Sequence, residues 1–289
     1  MVGLMNASLK GRRALVTGAA DGLGKAFALA LAHAGADVAV CDINSSVSAV
    51  ADELKAAGVK SYSAVADVAN EKQIKKFVDD AAIALGGLDL VISNAGVVRI
   101  TAPAKDSWEK TVDDFDAVIG VNYRGVYLTG RAAIPHLIKQ GGDLINITTD
   151  HIHNCGYPVI THDHTDDCKW KDMQRSPVGG NGFDVYDSSK WAIKGLTNTW
   201  ARGLAEHGVR VNSFGMGATA TPMYLGFVGD KPTPAGTMMP ADVAAVVVEL
   251  INEGPQGRTG DCIQVWAGHP TFLRPVGLEG LLTARDLGR

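Results

Sequence analysis

The chain has 289 residues, enough to bury a substantial core as one large domain or two small ones. Hydrophobic residues make up 46% and charged residues 20%, an ordinary globular balance, and a formal charge of −4 gives no reason to expect nucleic acid or an anionic membrane as partner. The cysteines (Cys41, Cys155, Cys168, Cys262) include no C-x-x-C pair, Met1 to Arg13 shows no apolar signal core, and no run of about 18 apolar residues occurs, so a soluble cytoplasmic protein in a reducing compartment is expected.

Arg12 to Thr17 is a short apolar run that reads as a buried strand. It leads into Gly18-Ala19-Ala20-Asp21-Gly22-Leu23-Gly24 and then a helical pattern from Lys25 to Ala34, stopped by Gly35. A strand, a glycine-rich turn and a helix N-terminus make a place for a pyrophosphate. The glycines let the backbone approach, and free N–H groups with the helix dipole favour the anion. The spacing is G-x-x-x-G-x-G rather than G-x-G-x-x-G, so its weight comes from the strand–helix setting. The next strand, Asp37 to Cys41, ends at Asp42, which follows Gly24 at about the 20-residue offset of an acid that binds ribose hydroxyls. A carboxylate there repels a 2′-phosphate, and the turn carries no Arg or Lys, so NAD is favoured over NADP.

The alternation continues with a helix over Ser46 to Ala57 and a strand over Ser61 to Val65, followed by Asp67-Val68. Glu71 to Leu85 reads as a helix, and Leu88 to Ser93 as a strand that runs into Asn94-Ala95-Gly96. Thr111 to Lys139 reads as one long helix interrupted by glycines, and Asp143 to Thr148 as a strand. Later come a strand at Val209 to Ser213, a Gly-, Pro- and Met-rich loop over 224–240, a helix from Pro240 to Asn252 and a last strand at Asp261 to Trp266. Strand and helix alternating with short polar joints argue for a parallel sheet covered on both faces, without a composition break that marks a second domain.

Tyr186-Asp187-Ser188-Ser189-Lys190 puts a phenol and an ammonium four positions apart, ahead of a helical run from Trp191 to His207, so both fall on one helix face. A tyrosine with its ordinary pKa near about 10 is a poor acid–base catalyst at neutral pH. A lysine one turn away is expected to favour the phenolate and pull that value down, so that Tyr186 takes a proton from an alcohol or gives one to a carbonyl oxygen.

Residues 150–185 break the rhythm. They carry His151, His153, His162 and His164, together with Cys155, Cys168, Asp166 and Asp167, which invites a zinc reading. The spacing matches no compact zinc motif, so no metal is expected. The stretch reads instead as a lid or pocket wall, with Asp150, His151 and His153 as candidate substrate contacts. The tail, 269–289, has apolar residues among glycines and arginines and is expected to pack on the body or on a neighbouring subunit.

In this order, Thr17-Gly-x-x-x-Gly-x-Gly24, Asp42, Asp67-Val68, Asn94-Ala95-Gly96, Asn122, Tyr186-x-x-x-Lys190, Val211-Asn212 and Thr221 resemble the short-chain dehydrogenase/reductase family over roughly residues 10 to 268. The resemblance implies an α/β fold: a single Rossmann-like, doubly wound parallel sheet of about seven strands, helices on both faces, and one NAD-binding catalytic domain over 1–289. It places Gly18, Asp21, Gly22, Leu23 and Gly24 at the pyrophosphate and Asp42 on the adenosine ribose. Asp67, Val68, Asn94, Ala95 and Gly96 fall along the cofactor, the first three on its adenine side, with Thr221 at the nicotinamide carboxamide. Tyr186 is the implied acid–base, Lys190 the group on the nicotinamide ribose, and Asn122 the holder of a water linking Lys190 to solvent. A homo-oligomer, tetramer or dimer, is the family expectation.

Three departures stand out. The strand end Ile147-Thr148-Thr149 offers Thr149 where the family has a serine that hydrogen-bonds the substrate oxygen, and Thr148, Asp150 or His151 share candidacy for that role. The long 150–185 stretch separates it from Tyr186. The family's Pro-Gly after the sixth strand is Met216-Gly217. The function expected is hydride transfer between a secondary alcohol or ketone and NAD. Two other classes fit parts of the chain: a metal-assisted hydrolase or dehydratase built on the histidines, and a non-catalytic NAD-binding regulator.

Overall fold

The computed structural model describes residues 8–152, 182–234 and 236–265. Seven strands form one parallel sheet in the order β3-β2-β1-β4-β5-β6-β7. They are β1 Arg13–Thr17, β2 Asp37–Asp42, β3 Ser61–Val65, β4 Leu90–Ser93, β5 Gly142–Ile147, β6 Val209–Met216 and β7 Cys262–Val265. The helices between them are α1 Gly22–His33, α2 Val47–Ala56, α3 Glu71–Leu85, α4 Trp108–Val118, α5 Val126–Leu137, α6 Asp184–Leu204, α7 Pro222–Val228 and α8 Pro240–Asn252.

The strands are short apolar runs because both faces of the sheet are covered. Alternate residues supply two cores. Ala14, Val16, Val38, Val40, Leu90 and Ile92 face one core with Phe27, Leu31, Leu54, Val247 and Leu250 from α1, α2 and α8. Leu15, Ala39, Cys41 and Val91 face the other, with Ile74, Phe77, Leu137 and Trp200 from α3, α5 and α6. The expected doubly wound sheet is therefore present, strand for strand.

Several local expectations are corrected. The span read as one helix over 111–139 is α4, a π-helical turn at Ile119–Gly125 and α5. The wide turn carries Asn122, whose side chain is tied to the loop after β4 by two bonds with Val97, a tertiary anchor that local propensity does not encode. Residues 224–240 do not form loop throughout, because α7 occupies their start. Thr221 accepts from the Tyr224 N–H at 3.2 Å and Pro222 takes the first helical position, two start signals that outweigh the glycines and prolines further on. The helix expected from Trp191 begins at Asp184, so Tyr186 and Lys190 both lie on α6. Its start is held by Thr101, whose hydroxyl bonds Asp184 and whose N–H bonds the Gly182 carbonyl at 2.9 Å.

Candidate active site

All strands of a parallel sheet point their C-terminal ends to one edge, and here the strand order reverses between β1 and β4. A cavity of about 530 Å³ opens at that point. Its wall is built from the turn after β1 (Gly18, Asp21, Gly22, Leu23, Gly24), Asp42 at the end of β2, and Asp67 and Val68 after β3. Asn94, Ala95 and Gly96 after β4, Tyr186 and Lys190 on α6, and Thr221 at the start of α7 complete the set. Every residue expected along the cofactor therefore lines one cavity.

The turn after β1 is shaped for close backbone approach. Gly18 and Gly22 have φ of +65° and +54°, and a Cβ on Gly24 would strike the Gly18 carbonyl oxygen. Asn94 braces the turn, its amide donating to the Thr17 and Gly18 carbonyls at 2.9 and 3.0 Å. Asp21 makes no side-chain bond to the first turn of α1, leaving the N–H groups there without a side-chain cap at the cavity wall. Asp42 is fixed by accepting from the N–H groups of Ala20 at 3.0 Å and Asn44 at 2.9 Å. Buried Thr148 lines the cavity with a hydroxyl that has no partner among the described residues. Uncapped donors, a glycine cradle, a fixed carboxylate and an orphaned hydroxyl fit a dinucleotide with its phosphates over α1.

At the other end stands Tyr186, with the Thr149 hydroxyl near its phenol. Lys190 is buried, donates to the Ile147 carbonyl at 3.0 Å, and lies 5.6 Å from the centre of the Tyr186 ring. Burial pushes the Tyr186 phenol above its ordinary value. The nearby Thr149 hydroxyl pulls it down, and the charges of Asp150 and Asp187 push it up again. This corrects the expectation of a tyrosine with a depressed pKa. The ammonium is turned to a backbone carbonyl, and burial lowers the Lys190 pKa to about 8, which weakens the cation meant to hold a phenolate. Asn122 is fully buried and spends its side chain on Val97 and on the Ser189 hydroxyl at 3.2 Å, while Ser189 in turn donates to the Tyr186 carbonyl at 2.6 Å. Its side chain thus serves as a brace between the π-helical turn and α6.

On the far side of Tyr186, the 3₁₀ turn Asp150–Ile152 places Asp150 and His151 beside the phenol. Thr149 Oγ1 donates to Asp150 Oδ1 at 3.2 Å, and His151 Nδ1 lies 2.8 Å from Asp187 Oδ1. Burial lowers the His151 pKa, but the Asp187 hydrogen bond and the charges of Asp150 and Asp187 outweigh it and the net shift is upward. The His151 ring meets Tyr186 and Phe183 edge to face at 6.0 and 5.5 Å, and Phe183 meets Phe227 of α7 at 6.3 Å. Asp187, Ser189, Phe183 and Phe227 have no role in the sequence reading, whereas Thr148, a candidate there for the hydroxyl on the substrate oxygen, lines the cavity. Asp187 alone had a signal, a carboxylate inside the Tyr-to-Lys motif. His153, the other insertion residues of the zinc reading and the C-terminal tail lie outside the described residues. Among the described residues, no three His, Cys, Asp or Glu side chains converge as a metal site.

The family model described as short chain dehydrogenase matches residues 12–159 and 174–228. An uncharacterised NAD-dependent oxidoreductase of Mycobacterium tuberculosis is 32% identical, with 90% of this chain and 96% of that protein covered. A 4-formylbenzenesulfonate dehydrogenase of Comamonas testosteroni is 33% identical, with 88% and 96% covered. Among solved structures, a short chain dehydrogenase from Burkholderia cenocepacia in complex with NADP superposes with a TM-score of 0.71 at 29% identity, covering 89% of this chain and 97% of its own. With a Rossmann-like sheet and a cavity at its switch point already in place, these matches establish that the chain belongs to the short-chain dehydrogenase/reductase family of oxidoreductases.

Proposed function

We propose that the protein is an NAD-dependent oxidoreductase that interconverts an alcohol and its carbonyl compound, with an aromatic ring next to the reacting carbon. One observation carries the reading: a single cavity has the glycine cradle and Asp42 at one end and Tyr186 with Lys190 at the other. In this reading the N–H groups at Gly18, Gly22, Leu23 and Gly24 take the pyrophosphate and Asp42 takes the adenosine ribose. Asp67, Val68 and Asn94 line the adenine side, Ala95 and Gly96 continue the wall, and Lys190 and Thr221 hold the nicotinamide end. When bound, the nicotinamide accepts or supplies the hydride. Tyr186 gives a proton to the carbonyl oxygen or takes one from the alcohol, and the Thr149 hydroxyl orients the same oxygen.

NAD is preferred to NADP for an electrostatic reason. Two backbone bonds fix the Asp42 carboxylate in the cavity wall, where on this reading it would repel a 2′-phosphate, and among the described residues lining the cavity Lys190 is the sole Lys or Arg. The aromatic substrate is supported by the continuous run of rings from Tyr186 through His151 and Phe183 to Phe227, and by the substrate in the name of the Comamonas relative. The test is nicotinamide absorbance with 1-phenylethanol and acetophenone against 2-butanol, with NAD and NADP compared. NAD should outperform NADP by about tenfold or more, the aryl alcohol should outperform the alkyl one, and Tyr186→Phe should lose roughly 10²–10⁴ in kcat. Equal use of both cofactors would overturn the Asp42 argument. Full activity of Tyr186→Phe would overturn the acid–base assignment.

A further inference from the structure

We propose that His151 and Asp187 are positioning residues for the acid–base: their contact locks the end of β5 to the first turn of α6 and holds the Tyr186 ring at a fixed tilt. The proposal rests on the reading of Tyr186 as the acid–base. The two residues stand 36 positions apart, one on the 3₁₀ turn after β5 and the other on α6, yet His151 Nδ1 lies 2.8 Å from Asp187 Oδ1. An ionised carboxylate can only accept, so the imidazole donates through Nδ1–H, and that bond fixes its ring. Asp187 also reaches back through its backbone, its N–H donating to the Phe183 carbonyl at 2.7 Å. One residue thus holds both His151 and Phe183.

The rings fixed in this way brace the phenol. His151 meets Tyr186 at 6.0 Å and 74°, and meets Phe183 at 5.5 Å and 68°. Phe183 meets Tyr186 at 6.2 Å and 67°, which closes the triangle. Each contact is edge to face, the arrangement that the ring quadrupoles favour. Moving any one ring disturbs two contacts, so the three resist tilting together. A tilt of the Tyr186 ring would carry its hydroxyl away from the reacting oxygen, and a misplacement of about 1 Å is enough to cost about 10² in rate.

Among the described residues, the charged and titratable groups facing His151 are Asp150 on its own turn, with Oδ1 4.0 Å from Nε2, and Asp187 and Tyr186 on α6. Burial works against the imidazolium, but the Asp187 bond and the charges of the two carboxylates favour it more strongly. The contact that fixes the ring is therefore also the one that sets its titration, so one NMR signal reports on both.

The test uses the full-length chain. By NMR without cofactor, His151 should titrate above about 6.5 in the wild type, with the midpoint falling in Asp187→Asn. The Tyr186 ring carbons, identified by their loss in Tyr186→Phe, should shift in Asp187→Leu and keep their wild-type positions in Asp187→Asn, which still offers an acceptor to Nδ1–H. With 1-phenylethanol and NAD, Asp187→Leu and His151→Ala should each lower kcat by about 10- to 100-fold and leave the KM for NAD unchanged. Asp187→Asn should recover most of the kcat lost in Asp187→Leu. Should Asp187→Leu fail to fold, His151→Phe, which keeps a ring and loses the bond, takes its place in both measurements. A His151 midpoint indifferent to Asp187 would overturn the proposal, as would wild-type kcat in both Asp187→Leu and His151→Ala. A rise in the KM for NAD as large as the fall in kcat would also overturn it, because the cavity and not the phenol would then have been disturbed. If the wild type leaves the probe unchanged, the aryl-alcohol reading fails, and the Tyr186 ring carbons decide the positioning role: no shift in Asp187→Leu ends it.

Discussion

Gly24 has no room for even one methyl group, since a Cβ there would strike the Gly18 carbonyl that Asn94 also holds. Gly24→Ala should therefore push the turn after β1 out of shape, with a stability loss of about 1–3 kcal/mol and a larger loss of nicotinamide cofactor affinity, measured by denaturation and by fluorescence titration. Thr149→Val keeps the shape but removes the hydroxyl, and kcat should fall by about 10²–10³, whereas Thr149→Ser should retain most activity. His151 gives a pH signature with a definite sign. Its folded-state pKa is raised, so its contribution to stability is fully present below the unfolded value of about 6.5 and is lost as pH rises through the folded value. His151→Gln should accordingly be more destabilising at pH about 5.5 than at pH about 8.5, read by urea denaturation at both. At this scale the sequence revealed Tyr186 and Lys190, because their spacing alone puts them on one helix face. It hid Asp187, because the residue it meets, His151, lies on the far side of the 150–185 insertion.

Helix α3 shows what was legible at the scale of an element. Asn70 accepts from the N–H groups of Lys72 and Gln73, both at 3.1 Å, and Gly86 closes the helix in a left-handed conformation at φ +78°. Asn70 stands immediately before Glu71 and Gly86 immediately after Leu85, and the expected bounds match the observed ones. Asn70→Ala should cost about 0.5–2 kcal/mol, visible as a lower melting temperature with unchanged kcat. The π-helical turn could not be read in the same way, because its width depends on Asn122 reaching Val97 and Ser189, contacts made only when α6 and the loop after β4 are in place. Gly130 on α5 is a similar case. A Cβ there would strike the Trp200 ring of α6, a packing demand that no local pattern announces. The short helix α7 was legible in principle from Thr221-Pro222, but the glycines and prolines after it dominated the reading.

Across the whole molecule, the edge of the sheet opposite the cavity is tied by charge. Arg210 meets Asp143 at 2.5 Å with both side chains nearly inaccessible, and Arg12 bridges Asp143 and Asp89 at 2.6 and 2.7 Å. Removing one partner strands the other, so Asp143→Ala should cost about 3–5 kcal/mol, measured by urea denaturation. A homo-oligomer is supported by the apolar row Trp108, Val112 and Phe115, exposed along one side of α4. Trp108→Glu together with Phe115→Glu should reduce the mass seen by light scattering if that row is an interface, and an unchanged mass would remove the argument. The order of the strands gives a last consequence. The cavity wall is drawn from Gly18 through to Met223, with a few residues from the end of nearly every strand and from α6 between them. No short fragment of the chain contains it. During refolding, helical circular dichroism should therefore recover before the cavity can quench the fluorescence of any ligand. The lag between the two signals would time the joining of β1 through β6 with α6, making occupancy of the cavity a report on assembly of that part of the sheet.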